Sequence, residues 1–324
     1  LTGLPDGLRG MPGAAVVLLG ADGAPLRTIG VGATRWAMVR ALAFDGDALL
    51  VGGAFAGTLR IGDRVVTSAG GVDGFWARVD GAGAVVSLAR LGGHGFDAVT
   101  GLAVLTDGRL AITGTFTGKA ELLDTVLDSA KDDQVGGDGF VAVVDAAGAL
   151  AWARTWGGTL EDTAAGVVAL AGGELAIAGT VTGEVEVAGR RLVTAGASDG
   201  LVAILGVDGA VRGATLVGGA DVDSLTALAA APGGARVLVA GRYSGALATR
   251  TGDVATPTAD AAFVALVDRD GVVAAAPIVT GAPTVELHLA ADARTWLAAA
   301  TSSAPLTLGA DRLPAGTFLL RRPW

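Results

Sequence analysis

Apolar and polar positions along this chain fall into short runs rather than long stripes. Each run holds four to eight residues, is rich in Val, Ile, Leu and Thr, and is closed by Gly-Gly, Asp-Gly or Gly-x-x-x-Gly. Short runs bounded by turn residues are strand and hairpin signals. No window sustains a 3.6-residue apolar period over three turns, so no long helix is expected.

The runs recur in a fixed order. Phe75-Trp-Ala-Arg-Val-Asp-Gly-Ala-Gly83 matches Phe140-Val-Ala-Val-Val-Asp-Ala-Ala-Gly148, and Leu201–Gly209 and Phe263–Gly271 follow. Ala15–Gly23 is an earlier copy and Thr317–Arg322 begins a last one. The anchors Ala15, Phe75, Phe140, Leu201, Phe263 and Phe318 are spaced by 60, 65, 61, 62 and 55 residues. Within one period, Ala165–Leu170 turns at Gly172-Gly173 into Glu174–Val181. Glu184–Val193 reads as a hairpin about Ala188-Gly189. Leu201–Val207 then turns at Asp208-Gly209 into Ala210–Val217, closed by Gly218-Gly219.

Four short strands per repeat predict an all-β fold, a β-propeller of four-stranded antiparallel blades with an extra hairpin between the second and third strands. We name the strands A to D in chain order, so that C starts at the anchor. A–B pairs occur at Ala37–Phe55, Val99–Phe116, Ala165–Val181, Leu225–Tyr243 and Val285–Thr301. These five pairs predict five blades in one domain over residues 1–324, with six blades as the alternative. A C–D pair near Ala15–Gly30 has no A–B pair ahead of it, and Thr317–Arg322 has no D strand after it. Ring closure is expected to combine strands from both ends, which leaves one C strand over. An open β-solenoid is the competing fold, but its coils are shorter than this repeat.

Composition narrows the function. Gly is 53 of 324 residues and Cys is absent, which excludes disulfide scaffolds and Cys-ligated metal sites. A net charge of −9 argues against nucleic acid and against docking on anionic lipid. Only Lys119 and Lys131 are lysines among 23 basic residues, a bias associated with GC-rich bacterial genomes. The longest uncharged runs, such as Thr295–Ala310, are too short and too broken for a ~20-residue membrane span. No leader peptide is visible, and no membrane insertion is expected.

Little catalytic chemistry is legible. No Gly-x-Ser-x-Gly elbow or His-Glu-x-x-His pair occurs, His94 and His288 are the only histidines, and Gly30-Val-Gly32 does not continue into a dinucleotide fingerprint. No cofactor is expected. In a propeller the D–A loops converge at the mouth of the central channel, on the face where the B–C connections also open. Here those loops carry Arg35 and Trp36; His94, Phe96 and Asp97; Glu161 and Asp162; Asp221 and Asp223; and Glu286. Their aromatic and acidic character suits a sugar or a cationic peptide. Asp97, Asp162 and Asp223 recur at the repeat spacing, which equally suits a turn-forming role through backbone bonds. The segment 123–138 is longer than its counterparts, and Asp124, Asp128, Asp132 and Asp133 make it a weak calcium-loop candidate beside a plain solvated loop. Trp152 and Trp156 share one face of their strand and read as packing between blades.

The stretch Phe140–Gly158, with Phe-Val-Ala-Val-Val-Asp followed by Trp-Ala-Arg and Gly-Gly, resembles the secreted bacterial β-propeller repeat proteins of the SBBP type. So does Val167 through Gly179 to Gly200. The resemblance covers most of the chain and fades where Gly-x-x-x-Gly becomes Ala300-Thr-Ser-Ser-Ala304. It implies an extracellular, periplasmic or cell-surface propeller with no assigned catalytic set.

The sequence therefore predicts a non-enzymatic binding or structural module that presents propeller-face loops to a protein or glycan. A carbohydrate-active enzyme using carboxylates at the channel mouth, and a subunit of a larger surface assembly, are the alternatives.

Overall fold

The short runs form antiparallel strands throughout a computed structural model. It describes residues 10–129, 136–250, 252–255, 261–280, 285–291, 294–302, 306–308, 311–313 and 316–323. Among them the only helical turn is a 3-10 turn at Ala171–Gly173, and no helix is long and apolar enough to cross a membrane.

Among the described residues, six sheets built from the A to D strands follow one another along the chain. The first holds strands C and D, Gly13–Leu19 and Pro25–Ala33. The second holds A to D: Trp36–Asp45, Ala48–Ala56, Asp73–Val79 and Val85–Gly93. In the third these are Ala98–Val104, Leu110–Phe116, Asp138–Val144 and Leu150–Gly157, and in the fourth Thr163–Ala169, Leu175–Val181, Asp199–Leu205 and Val211–Val217. The fifth has Ser224–Ala230, Val237–Tyr243, Ala261–Asp268 and Gly271–Thr280, and the sixth has A to C, Val285–Ala291, Thr295–Ser302 and Gly316–Pro323. The A strands of successive sheets lie side by side from the second sheet to the sixth. Sequential A–B–C–D sheets stacked with their A strands adjacent are the blades of a β-propeller.

The inserted hairpins do not extend the sheet from which they emerge. Thr58–Ile61 with Arg64–Thr67 leaves strand B of the second sheet but pairs with strand D of the first. Lys119–Leu122 with Thr125–Asp128 pairs back onto the second sheet in the same way. Glu184–Val187 with Arg190–Val193 pairs onto the third, and Leu306–Leu308 with Asp311–Leu313 onto the fifth. The short pair Ala246–Leu247 and Val254–Ala255 approaches the end of strand D of the fourth sheet, where Ala248 N–H donates to the Gly218 carbonyl at 3.4 Å. Each repeat thus hands its hairpin to the blade before it.

Among the described residues, four apolar cores lie between consecutive sheets, from first–second to fourth–fifth. The anchors Phe75, Phe140, Leu201 and Phe263 are at most 1% exposed at these cores. Three of them meet an aromatic ring from the end of strand B edge to face: Phe55–Phe75 at 6.1 Å, Phe116–Phe140 at 6.3 Å and Tyr243–Phe263 at 5.4 Å between centroids. Offset and edge-on contacts suit the ring quadrupoles. Trp152 and Trp156 both serve the third–fourth core, so this strand face packs between blades.

Strand A carries the same bulge in four sheets, since its register skips Arg40, Thr100, Ala165 and Thr226. Opposite each bulge stands the first glycine of Gly-x-x-x-Gly. A Cβ on Gly53, Gly114, Gly179 or Gly241 would lie 1.9 to 2.1 Å from a strand A carbonyl oxygen. Only glycine allows that approach.

Candidate functional site

The Gly-Gly that closes strand D explains how the loop face is built. A Cβ on its first glycine would strike an aspartate at the start of strand C. The nearest atoms are Asp73 Cγ at 2.4 Å from Gly92, Asp138 Oδ1 at 2.1 Å from Gly157 and Asp199 Oδ1 at 2.3 Å from Gly218. A Cβ on the second glycine would strike the backbone of the handed-over hairpin. Gly93, Gly158 and Gly219 place it 1.9, 2.1 and 2.0 Å from the carbonyl oxygens of Lys119, Glu184 and Ala246. One glycine seats a carboxylate and the next seats a hairpin.

The D–A loop follows at once, and its aspartate holds it in shape. Asp97 accepts the Gly93 N–H at 2.9 Å and the Thr117 N–H at 3.2 Å. Asp162 accepts those of Gly158 and Thr182, both at 2.9 Å, and Asp223 those of Gly219 at 2.7 Å and Ser244 at 3.0 Å. Each carboxylate therefore ties the end of strand D to the start of the B–C connection. All three are 0% exposed. These bonds give the three recurring aspartates a structural task, and they do not stand on the surface as ligand contacts.

The remaining loop residues divide by exposure. Arg35, His94, Glu161 and Asp221 are exposed, and Trp36 is half-buried. The side chain of Glu286 lies outside the described residues, at the start of strand A in the sixth sheet. Three large apolar side chains join them on this face: Phe96 at 46%, Leu160 at 51% and Val222 at 61% exposure. Phe96 and Val222 each make a parallel bridge to the residue before strand C, with Val72 and Ser198 respectively, so the exposed residues sit on fixed backbone. The sequence reading did not single out Leu160 and Val222 as surface residues. An alternating strand pattern does not extend into a loop, so no periodicity marked them.

Burial sets the electrostatics. Desolvation raises Asp97 to about 7, with the nearby Asp73 carboxylate pushing the same way against its two backbone bonds and Arg90. Asp199 is raised, chiefly by burial and then by Asp223. Asp223 is raised by burial first and by Asp221. Asp73 also accepts Arg90 Nη1 at 2.7 Å, and Arg90 reaches Glu121 of the handed-over hairpin at 2.6 Å.

The acidic segment 123–138 is only partly described. Asp124 lies in the turn of its hairpin, and Asp128 lies 3.6 Å from the Lys119 ammonium. Asp132 and Asp133 lie outside the described residues. Among the described residues no three His, Cys, Asp or Glu side chains gather in a metal-binding group. Asp128 also lines a cleft of about 470 Å³ on the outer rim, with Arg154, Thr155 and Glu186 among its walls. That cleft lies between the hairpin edge of the second sheet and strand D of the third.

No family model and no curated protein matches the chain. Among solved structures, the chain is similar to one described as the Dos1 propeller, at 11% identity and a TM-score of 0.41, covering 94% of this chain and 61% of that one. It is also similar to Sqt1 from Chaetomium thermophilum, at 11% identity and a TM-score of 0.30, covering 86% and 96%. The chain thus spans less than two thirds of the first of these. Likeness at that level carries no argument, and the propeller assignment rests on the sheet topology.

Proposed function

We propose that this chain is a non-enzymatic binding or structural module, one propeller domain over 1–324, whose D–A and B–C loop face meets a protein partner outside the cytoplasm. The observation that carries this reading is the exposure of Phe96, Leu160 and Val222 among Arg35, His94, Glu161 and Asp221 on one face. Exposed apolar side chains set among charges are the composition of a protein-binding surface. The half-buried Trp36 on the same face supports a glycan as the second kind of partner. A five-bladed ring, kinship with the SBBP-type repeats and membership of a larger surface assembly belong to the same proposal.

A carbohydrate-active enzyme would need an acid and a base free to reach substrate. Asp97, Asp162 and Asp223 have both oxygens engaged by backbone N–H groups, which speaks against that alternative. The test pairs binding with turnover on a panel of immobilised polysaccharides and envelope proteins. We expect no release of reducing ends. We expect retention that falls at least tenfold in a Phe96→Ser/Val222→Ser variant with an unchanged melting temperature. Polysaccharide cleavage that is abolished by Glu161→Gln or Asp221→Asn would establish the enzyme instead.

A further inference from the structure

Three junctions between consecutive sheets bring two buried aspartates together. One opens strand C (Asp73, Asp138, Asp199), and the other lies in the loop that enters the next sheet (Asp97, Asp162, Asp223). Strand register identifies the same two positions elsewhere. They hold Gly13 and Ala37 between the first and second sheets, and Ala261 and Val285 between the fifth and sixth. A junction therefore carries both carboxylates or neither. Such all-or-none usage marks the two side chains as one unit.

The fourth–fifth junction shows what the unit does. Asp199 Oδ2 accepts the Ala195 N–H at 2.7 Å, while Asp199 Oδ1 is buried with no hydrogen-bond partner. Asp199 Oδ1 and Asp223 Oδ2 stand 2.3 and 2.8 Å from one common point, the place a Cβ on Gly218 would occupy. Neither carboxylate makes an ion pair among the described residues. The second–third junction differs, because Arg90 bonds Asp73 there. At the register position of Arg90, opposite the anchor, the fourth sheet has Leu216. Among the described residues, the other titratable groups around the pair are Asp221 on the loop and the buried phenol of Tyr243 on strand B of the fifth sheet. Arg242 precedes Tyr243 and so points to the opposite face of that strand.

Two adjacent carboxylates in an apolar, cation-free setting do not both ionise at ordinary pH. Asp223 already accepts two backbone N–H groups, so it is the better anion. Asp199 Oδ1 lacks a partner, so it is the atom that carries a proton. We propose that Asp199 and Asp223 hold one proton between them at neutral pH, as an acid–carboxylate pair that joins the fourth sheet to the loop entering the fifth and weakens when mild alkali removes the proton. Raised carboxyl groups contribute stability that is complete below the ordinary carboxylate range and is lost as pH rises through the raised value. This junction is thus an alkaline-sensitive link in the ring of blades.

The test is the carbon-13 titration of the aspartate carboxyls in the full chain, with urea unfolding from pH 6 to 9. We expect one carboxyl of the pair to titrate well above the range of a free aspartate. Asp199→Asn places a permanent donor where the proton sits. It is expected to remove that titration, to raise the urea midpoint at pH 9 and to flatten its dependence on pH. Titration of both carboxyls in the ordinary aspartate range in the wild-type chain would overturn the proposal. So would an Asp199→Asn midpoint lowered equally at pH 6 and 9. The wild-type titration decides the matter even if the variant does not fold.

Discussion

Gly158→Ala should detach one hairpin while leaving its own repeat folded. The new methyl would lie 2.1 Å from the Glu184 carbonyl oxygen, 3.3 Å from its carbon and 3.7 Å from Val185 Cγ1. A carbon and an oxygen rest about 3.3 Å apart, so the hairpin must withdraw by about 1.2 Å. That movement breaks the pairing of Trp156 with Val187 and of Gly157 with Glu186. It also begins to expose Val185 and Val187, now 1% and 2% exposed. Full burial of a valine contributes about 1.5 to 3 kcal/mol, so partial loss of two sets the cost at about 2 to 4 kcal/mol. The assay is native-state hydrogen exchange. Amides of Glu184–Val187 and Arg190–Val193 should lose protection, while those of Leu175–Val181 and Asp199–Leu205 keep theirs. Gly148→Ala is the control, because nothing lies within 4 Å of its added Cβ and only the φ of +87° opposes it. Its cost should be about 1 kcal/mol, with hairpin protection unchanged. Undiminished hairpin protection in Gly158→Ala would refute the close-approach reasoning. Uniform loss of protection across the fourth sheet would refute the separability of the hairpin.

Two further outcomes are expected. Phe140→Ala removes a fully buried ring that meets Phe116 at 72° between planes, and urea unfolding should register a loss of about 3 to 5 kcal/mol. Asp97, raised by burial from 3.8 to about 7, should make stability fall as pH rises between those values, by at most about 4 kcal/mol. Across pH 4 to 8, thermal melts should therefore show the wild type losing stability relative to Asp97→Asn as pH rises. A constant difference between the two proteins would show that Asp97 is already ionised in acid.

The strands and their grouping follow from local sequence. Each strand pair lies close along the chain, and each break carries residues whose backbone preferences act locally. The A–B pairs from Ala37–Phe55 to Val285–Thr301 appear where the apolar runs placed them, and the buried anchors Phe75, Phe140, Leu201 and Phe263 were legible from their spacing. The glycines were legible as turn residues. What they accommodate was not, because Gly92 and Gly93 are shaped by Asp73 and by the Lys119 backbone, partners remote in sequence.

Where the hairpins dock depends on contacts between distant segments. Register within Glu184–Val193 is a local matter, but its docking strand, Leu150–Gly157, belongs to the previous blade. Tertiary structure likewise separated the loop acids. Repeat spacing leaves Asp97, Asp162 and Asp223 open to a turn-forming or a ligand-binding role, and burial against backbone N–H groups gives them the first, while Glu161 and Asp221 stay exposed. A carboxylate's chemistry follows from its solvent and its partners, and both are set when distant segments meet.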